Sequence, residues 1–586
     1  MASNLSNAVS GRVPKDNSEE SNNLLVTQTP IGTSAPMRVQ SLVYYSGASD
    51  EEDTPEHETL PLRSLSYILL LTIVIGGLQL SWSVEFSNGT PYLLSLGMSK
   101  SLMSLVWIAG PLSGTLGQPI VGVLSDELRW SYGRRRPFMI GGAVATILSL
   151  LTLSWSREIV GLLTNTQDSK ELDKKTIPLA VTFVYILDFS ISVIQAATRA
   201  FIVDNVPTVQ QQEANAWAAR LIGIGNIVGF ILGAINLPRL FPSFFGRTQF
   251  QVLAFCASMG LIFTVAPACL FISEQDPNTD LTIREREQEQ KQHKHRGARF
   301  GKLHQIWDDT VKAIRGLSPQ TRLACAIEFF AWIGYFPMLF YGSTYVGTLY
   351  KMENPDEQDP EAAVRRGSTA LLCHAIVSLA ANFLLPYLLT VRLPAVASPA
   401  VRVLQQCLTT VNGLWITGHV VFLMAMISTF FISTCNQAMV FITFLGIPWA
   451  IALWAPFVII SEEASRIKTK KMSKAATLTY EQRIQTQEVQ QTPKQRFETF
   501  EHESGIILGV HNMFVALPQM VSSLMAALLF KIFDAGNRED SAAYSLGWVY
   551  RFGGLATGIA LYLSFKLKDR RELNAIDDEY VDSWEE

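Results

Sequence analysis

Along this chain, long apolar stretches alternate with short polar connections. Each stretch reaches the roughly 20 residues that a helix needs to cross a bilayer's hydrocarbon core. In the first half they cover about 65–86, 102–124, 136–156, 177–203, 217–237 and 249–272; in the second, about 322–349, 368–390, 412–433, 437–460, 505–530 and 543–566. The pattern predicts an all-α polytopic membrane protein of twelve transmembrane helices in two six-helix halves. The polar stretch 273–320, with its "REREQEQKQHKHRGAR", parts six from six and reads as a solvated connection.

The basic connections all follow even-numbered runs. They are the "GRRRPF" turn at 133–138, the central stretch, "VRLPAVASPAVR" and "SRIKTKKMSKAA". All therefore fall on one side, which the positive-inside rule assigns to the cytoplasm together with both termini. The opposite connections, "YKMENPDEQDPEAA" and "DAGNREDSAA", are more acidic. Six plus six spans around a long polar connection is the plan of the major facilitator superfamily, in which two halves rock about a central site.

Composition agrees with this reading. Of 586 residues, 48% are hydrophobic and only 17% charged, against about 25% charged in a typical soluble domain. The net charge of −4 gives no hint of nucleic-acid binding. Residues 1–63, with "SGASDEEDTPEHE", read as a disordered cytoplasmic tail and not as a signal peptide. The domains expected are then a six-helix bundle at 64–272, a cytoplasmic linker at 273–320, a second bundle at 321–566 with a long cytoplasmic loop at 461–504, and an acidic tail at 567–586. The six cysteines form no CxxC and lie mostly in apolar runs, so they read as small buried hydrophobes, without metal or disulfide framework.

Chemistry is expected where polar side chains interrupt the apolar runs. In "DFSISVIQAATR", Asp188, Gln195 and Arg199 share one helix face, because steps of seven and eleven residues nearly close on whole turns. Asp188 falls near mid-membrane. A carboxylate there is tolerated when protonated, paired or lining a wet cavity. A carboxyl that is neutral in one state and charged in another can couple proton movement to a conformational change. Arg199 can bond a sugar hydroxyl or a carboxylate of another span, and Asp204 reads as a membrane-boundary charge. Glu328 reads as a paired or snorkelling residue near the cytoplasmic boundary. Gln79, Trp82 and Glu85 lie close to one stripe of the first run. Rings stack on the apolar face of a pyranose and amides or acids bond its hydroxyls, so these are candidate sugar binders. Trp332, Tyr335 and Tyr341 are weaker ones. Arg365 and Arg366 enter the eighth run from outside, one toward the cavity and one toward the headgroups. His374, His419 and His511 read as packed hydrogen-bonding residues. No GxxxxGK[ST], HExxH or nucleophile elbow occurs, so the chain is expected not to be an enzyme and to hold neither metal nor cofactor.

Taken together, these segments resemble a known family. "WIAGPLSGTLGQPIVGVLSDELRWSYGRRRPFM" is similar to the W-x-x-GP-x-SG-x-x-x-QP-x-VG-x-x-SD…GRRRPF stretch of sucrose–proton symporters, in the glycoside–pentoside–hexuronide group of the major facilitator superfamily. "GGLQLSWSVEFSNGTPYLLSLG", "LDFSISVIQAATRAFIVD", "ANAWAARLIGIGNIVGFILG", "FLGIPWAIALWAPF" and "GIILGVHNMFVALPQMVSS" resemble the family's first, fourth, fifth, tenth and eleventh spans. The resemblance implies symport of a disaccharide, sucrose or an α-glucoside such as maltose, with a proton as coupling ion. It places the proton acceptor at Asp188 and arginines required for transport at Arg199 and Arg365. Where plant members carry "DTDWMG", this chain has "GSTYVG", with Tyr345 at the tryptophan position; where they carry a histidine in the first outer loop, it has Lys100. It is closer to fungal members. The basic turn, with Asp126, Gly133, Arg134, Arg135 and Arg136, is expected to act as a cytoplasmic gating motif, Asp126 pairing with the arginines or with helix ends. The expectation is a monomer in the plasma membrane, bound by lipid and not by nucleic acid. A sugar sensor without flux, or a carrier of another sugar, is the competing reading.

Overall fold

The computed structural model describes residues 61–130, 132–274, 314–389, 407–477, 493–534 and 541–568, with positions 311, 405 and 573. Most of the expected amino-terminal tail, central linker and carboxyl tail lies outside the described residues. Among the described residues, long helices stand where the apolar runs predict them. They are α1 (Leu65–Ser95), α2 (in pieces from Lys100 to Glu127), α3 (Arg136–Ser154), α4 (Ser169–Asn205), α5 (Gln211–Ala234) and α6 (Gln249–Phe271). The second half holds α7 (Pro319–Glu353), α8 (Ala362–Leu388), α9 (Val411–Ser428), α10 (Cys435–Phe444 and Gly446–Thr477), α11 (Pro493–Phe533) and α12 (Ser541–Ser564). Among the described residues, ten helices are long and apolar enough to cross a membrane, α2 and α12 standing outside that set.

The differences from expectation have local causes. Helix α2 runs as Lys100–Val106, Ala109–Leu112, a π-type turn Ser113–Gly117, and Gln118–Glu127. Its sequence "AGPLSGTLGQP" supplies the glycines and prolines that break an i→i−4 ladder. The stretch 461–504, expected as a loop, is partly helical: α10 runs on to Thr477 and α11 begins at Pro493. The segment "SEEASRIKTKKMSKAAT" contains neither glycine nor proline and is rich in helix formers, so nothing stops the helix at the membrane boundary. Ser64 and Ser318 cap the starts of α1 and α7, and Thr248 closes a capping box on α6.

Helices pack through small residues, as expected where lipid removes the hydrophobic drive between them. A Cβ added at Gly225 of α5 would sit 2.4 Å from the Gly76 carbonyl of α1, and one at Gly334 of α7 would sit 2.8 Å from the Gly553 carbonyl of α12. Helices α3 with α4 and α1 with α5 and α6 build the first half; α7 with α12 and α9 with α10 and α12 build the second. The halves meet along α5–α8 and α2–α11. Hydrogen bonds from one half to the other gather at the end away from the arginine turn. There Thr90 Oγ1 donates to the Phe340 carbonyl at 2.7 Å, and Ser101 Oγ to that of Ala527 at 2.8 Å. Lys100 Nζ reaches Asp534 Oδ1 at 3.0 Å, and the Gln249 N–H donates to Glu361 Oε1 at 2.7 Å. The halves are thus fastened together at that end.

Candidate functional site

Helix α1 widens into a π-type turn at Glu85–Gly89, which begins on the acid itself. Such turns recur at functional positions because they rotate a side chain out of the regular register. Glu85 is 4% exposed and Asp188 of α4 is fully buried. The two carboxyl groups are close neighbours. None of their four oxygens accepts a hydrogen bond from an N–H or hydroxyl donor among the described residues. Two adjacent carboxylates without a countercharge repel, and a charge away from water is costly. Glu85 also borders a small apolar cavity with Gly89, Trp107, Val184 and Leu187, which has room for about one water molecule.

The α4 face opens from Asp188 toward the end that carries the arginine turn. Gln195, half-buried, accepts from Gln118 Nε2 at 2.9 Å. Arg199 is solvent-accessible although surrounded by protein, as a side chain lining an interior crevice is. It forms no ion pair among the described residues, so its five donors are free for a ligand. Helix α1 contributes Gln79, half-buried beside Gly225, and Trp82, whose ring stacks on Phe86 at 5.4 Å. The structure therefore brings Glu85 to Asp188 and strings Gln195 and Arg199 along the same helix face.

Other candidate residues lie apart from this pair. Tyr341 and Tyr345 of α7 are buried against aromatic rings, Tyr341 on Phe530 at 5.5 Å and Tyr345 on Tyr550 at 5.3 Å. Arg365, at the start of α8, pairs with Asp359 at 2.5 Å in the α7–α8 connection. Its guanidinium holds the Asp359 carboxyl below the usual carboxylate range. His374 Nδ1 lies 3.0 Å from the Ile442 carbonyl, His419 Nδ1 lies 3.1 Å from Ser564 Oγ, and the His511 ring packs on Phe457 at 4.6 Å, tilted by 59°. All three are packed, as their sequence setting suggests. Glu328 departs from its expected boundary position: it is 2% exposed, and Trp332 Nε1 donates to its Oε2 at 2.6 Å.

The arginine turn is a compact electrostatic clasp. Glu274, just beyond α6, accepts from the backbone N–H groups of Arg134, Arg135 and Arg136, at 2.8 Å from the first and last. A carboxylate thus sits on the positive end of α3, where unpaired amides and the helix dipole favour it. Gly133 enters this turn at φ +115°, and a Cβ there would meet Glu274 at 2.6 Å. Asp204, at the end of α4, bonds Arg134 Nη2 and Arg135 Nε, each at 2.9 Å. Arg135 Nη1 also donates to Ser125 Oγ, and Arg136 lies over the Tyr132 ring. The side chain of Asp126 lies outside the described residues. Among the described residues, Asp204 and Glu274 are the acids that pair with the turn. Glu274 carries no local sequence signal, since its partners are about 140 positions away.

The chain matches the Major Facilitator Superfamily over residues 68–480. It is 34% identical over 576 residues to the general alpha-glucoside permease of Schizosaccharomyces pombe, covering 88% of this chain and 96% of that protein. It is 26% identical to the sucrose transport protein SUT3 of Oryza sativa subsp. japonica, covering 86% of this chain and 94% of that one. Among solved structures, the xylose transporter XylE of E. coli in a partially occluded inward open conformation superposes with a TM-score of 0.52 at 13% identity, covering 86% of this chain and 98% of that one. The nucleoside transporter NupG superposes equally well, 0.52 at 10% identity, covering 86% and 100%.

Proposed function

The chain belongs to the major facilitator superfamily, and from that premise we propose that it carries sucrose or a related α-glucoside such as maltose into the cytoplasm together with a proton. The similarity to an alpha-glucoside permease and to a sucrose transport protein supports the substrate class. The observation that carries the coupling step is the pair of adjacent carboxyl groups, Glu85 and Asp188, buried at mid-membrane with no N–H or hydroxyl donor to either among the described residues. Asp188 takes a proton when the site faces outward, and its neutral form permits the sugar to settle beside it. Arg199, Gln195, Gln79 and Trp82 are the proposed sugar contacts. After the halves rock, Asp188 faces the Arg199 crevice and releases its proton there. By the charge rule the arginine turn lies in the cytoplasm, so the halves fastened at the opposite end make an inward-facing arrangement. The plasma membrane is the proposed location.

The energetics suffice. One proton moving down about 100 mV contributes about 2.3 kcal/mol, and one pH unit adds about 1.4 kcal/mol. Together these sustain roughly 500-fold sugar accumulation. The test is uptake of labelled sucrose and maltose into vesicles at two external pH values, by the wild type and by Asp188→Asn. The asparagine mimics the neutral acid, so exchange of sugar across the membrane persists while uphill accumulation disappears. Full accumulation by Asp188→Asn would refute the coupling role. Sugar binding by the wild type with neither flux nor sugar-evoked proton current would favour a sensor.

A further inference from the structure

Glu328 is a buried carboxyl that the coupling step does not use. It lies about 13 Å along α7 from that helix's start at Pro319, inside the bilayer by the span assignment. Its Oε1 has no hydrogen-bond partner, and its Oε2 takes the indole N–H of Trp332 one turn further on. Burying a carboxyl with a single neutral donor costs stability, so the contact is not explained as a stabilising one. What it does fix is the plane of the Trp332 ring.

That ring is one of three set edge to face. Trp332 meets Trp449 of α10 at 5.5 Å and 76°, and Tyr335 at 6.2 Å and 68°; Tyr335 meets Trp449 at 5.7 Å and 67°. Tyr335 is the fixed base of the group. It is 1% exposed, donates its O–H to the Pro448 carbonyl at 3.2 Å and packs on Phe422. Trp332 and Trp449 are only half-buried. Helix α7 is the most thoroughly buried of the ten long apolar helices among the described residues. The residues that share the face of Trp332, namely Glu328, Tyr335 and Phe336, are all buried, so that face of the helix points into the protein and not to lipid. Two indoles at near right angles make a corner there, with apolar faces suited to the C–H face of a pyranose and an edge suited to its hydroxyls.

Resting on the α-glucoside transport reading above, we propose that Trp332 and Trp449 form the second half's stacking wall for the sugar ring, and that Glu328 is the positioning residue that holds the Trp332 indole for it. Glu328 does not touch the sugar. Its role is to give the indole N–H an acceptor inside the protein, so that the ring cannot turn to seek one elsewhere.

The experiment measures KM and kcat for maltose and sucrose in proteoliposomes of the full chain, corrected for inserted protein. Glu328→Gln keeps a carbonyl acceptor and is expected to retain KM within about twofold. Glu328→Leu and Trp332→Phe, which remove acceptor and donor respectively, raise KM roughly five- to tenfold, the weight of one hydrogen bond, with kcat little changed. The double variant is no worse than Trp332→Phe alone, because both act through one ring. The proposal is overturned if Glu328→Gln is as impaired as Glu328→Leu, if the two losses multiply, or if only kcat falls. A wild type that carries neither sugar defeats the transport reading itself; a wild type that transports beside unaffected variants defeats only the wall.

Discussion

At the scale of single residues, charge partners decide which groups titrate in the working range. Asp359 is hydrogen-bonded by Arg365, which lowers its carboxyl from the ordinary value. A depressed acid contributes its pairing fully above its unfolded pKa, near 3.9, and loses it only as the pH falls through the lower folded value. The pair therefore stays ionised across the mildly acidic range. Asp359→Asn is expected to slow uptake by at most severalfold, since the pair is partly exposed, and by the same factor at pH 7 as at pH 5. Parallel uptake curves for the two proteins would meet the expectation; curves that converge as the pH falls would show that the pair titrates. Individual side chains were unevenly legible in the sequence. The face shared by Asp188, Gln195 and Arg199 follows from helical spacing alone. The approach of Glu85 to Asp188, and of Glu274 to the arginine turn, joins positions about 100 and 140 residues apart, and no local pattern carries that information. Glu328 was placed at the boundary because its distance from the helix start is short. Its partner Trp332 packs on Trp449 of α10, a neighbour that comes from another element.

At the scale of elements, apolar run length located the long helices of the described residues, because a bilayer permits few other solutions. It did not locate their interruptions. The π-type turns at Glu85 and Ser113 are set by packing between helices, and the continuation of α10 and α11 past the apolar runs is set by propensity in polar sequence. Close helix crossings depend on glycine, and this gives a prediction. Gly225→Leu drives a side chain into the Gly76 carbonyl, and Gly334→Leu drives one into that of Gly553. Overpacking of this kind costs about 1–3 kcal/mol or more. Both variants should lose thermal stability in detergent, measured by the midpoint of tryptophan-fluorescence unfolding. Gly122→Leu, where an added Cβ meets nothing within 4 Å, is the matched control and should unfold as the wild type does.

For the whole molecule, the decisive feature is where the halves are fastened. Lys100 bridges them through Asp534 and Ser545, with Phe530 at 5.8 Å. A partly exposed ion pair contributes up to about 1 kcal/mol, which is roughly a fivefold shift between two states. Lys100→Ala should move the population toward the state open at this end by about that factor. A cysteine placed at an acidic-end position buried between the halves would then react faster with an impermeant reagent added outside. Unchanged labelling would mean that the backbone-directed bonds of Thr90, Ser101 and Ser343 hold the end shut on their own. The fastened end also acts as a fulcrum. A helix of 37 residues such as α4 is a lever about 55 Å long. A tilt of about 5° about that fulcrum swings its far tip by roughly 5 Å, close to the width of a sugar ring. Small adjustments in a few short bonds are thus geared up into passage or blockage at the opposite mouth, and most side chains between them can keep their neighbours as the load goes by.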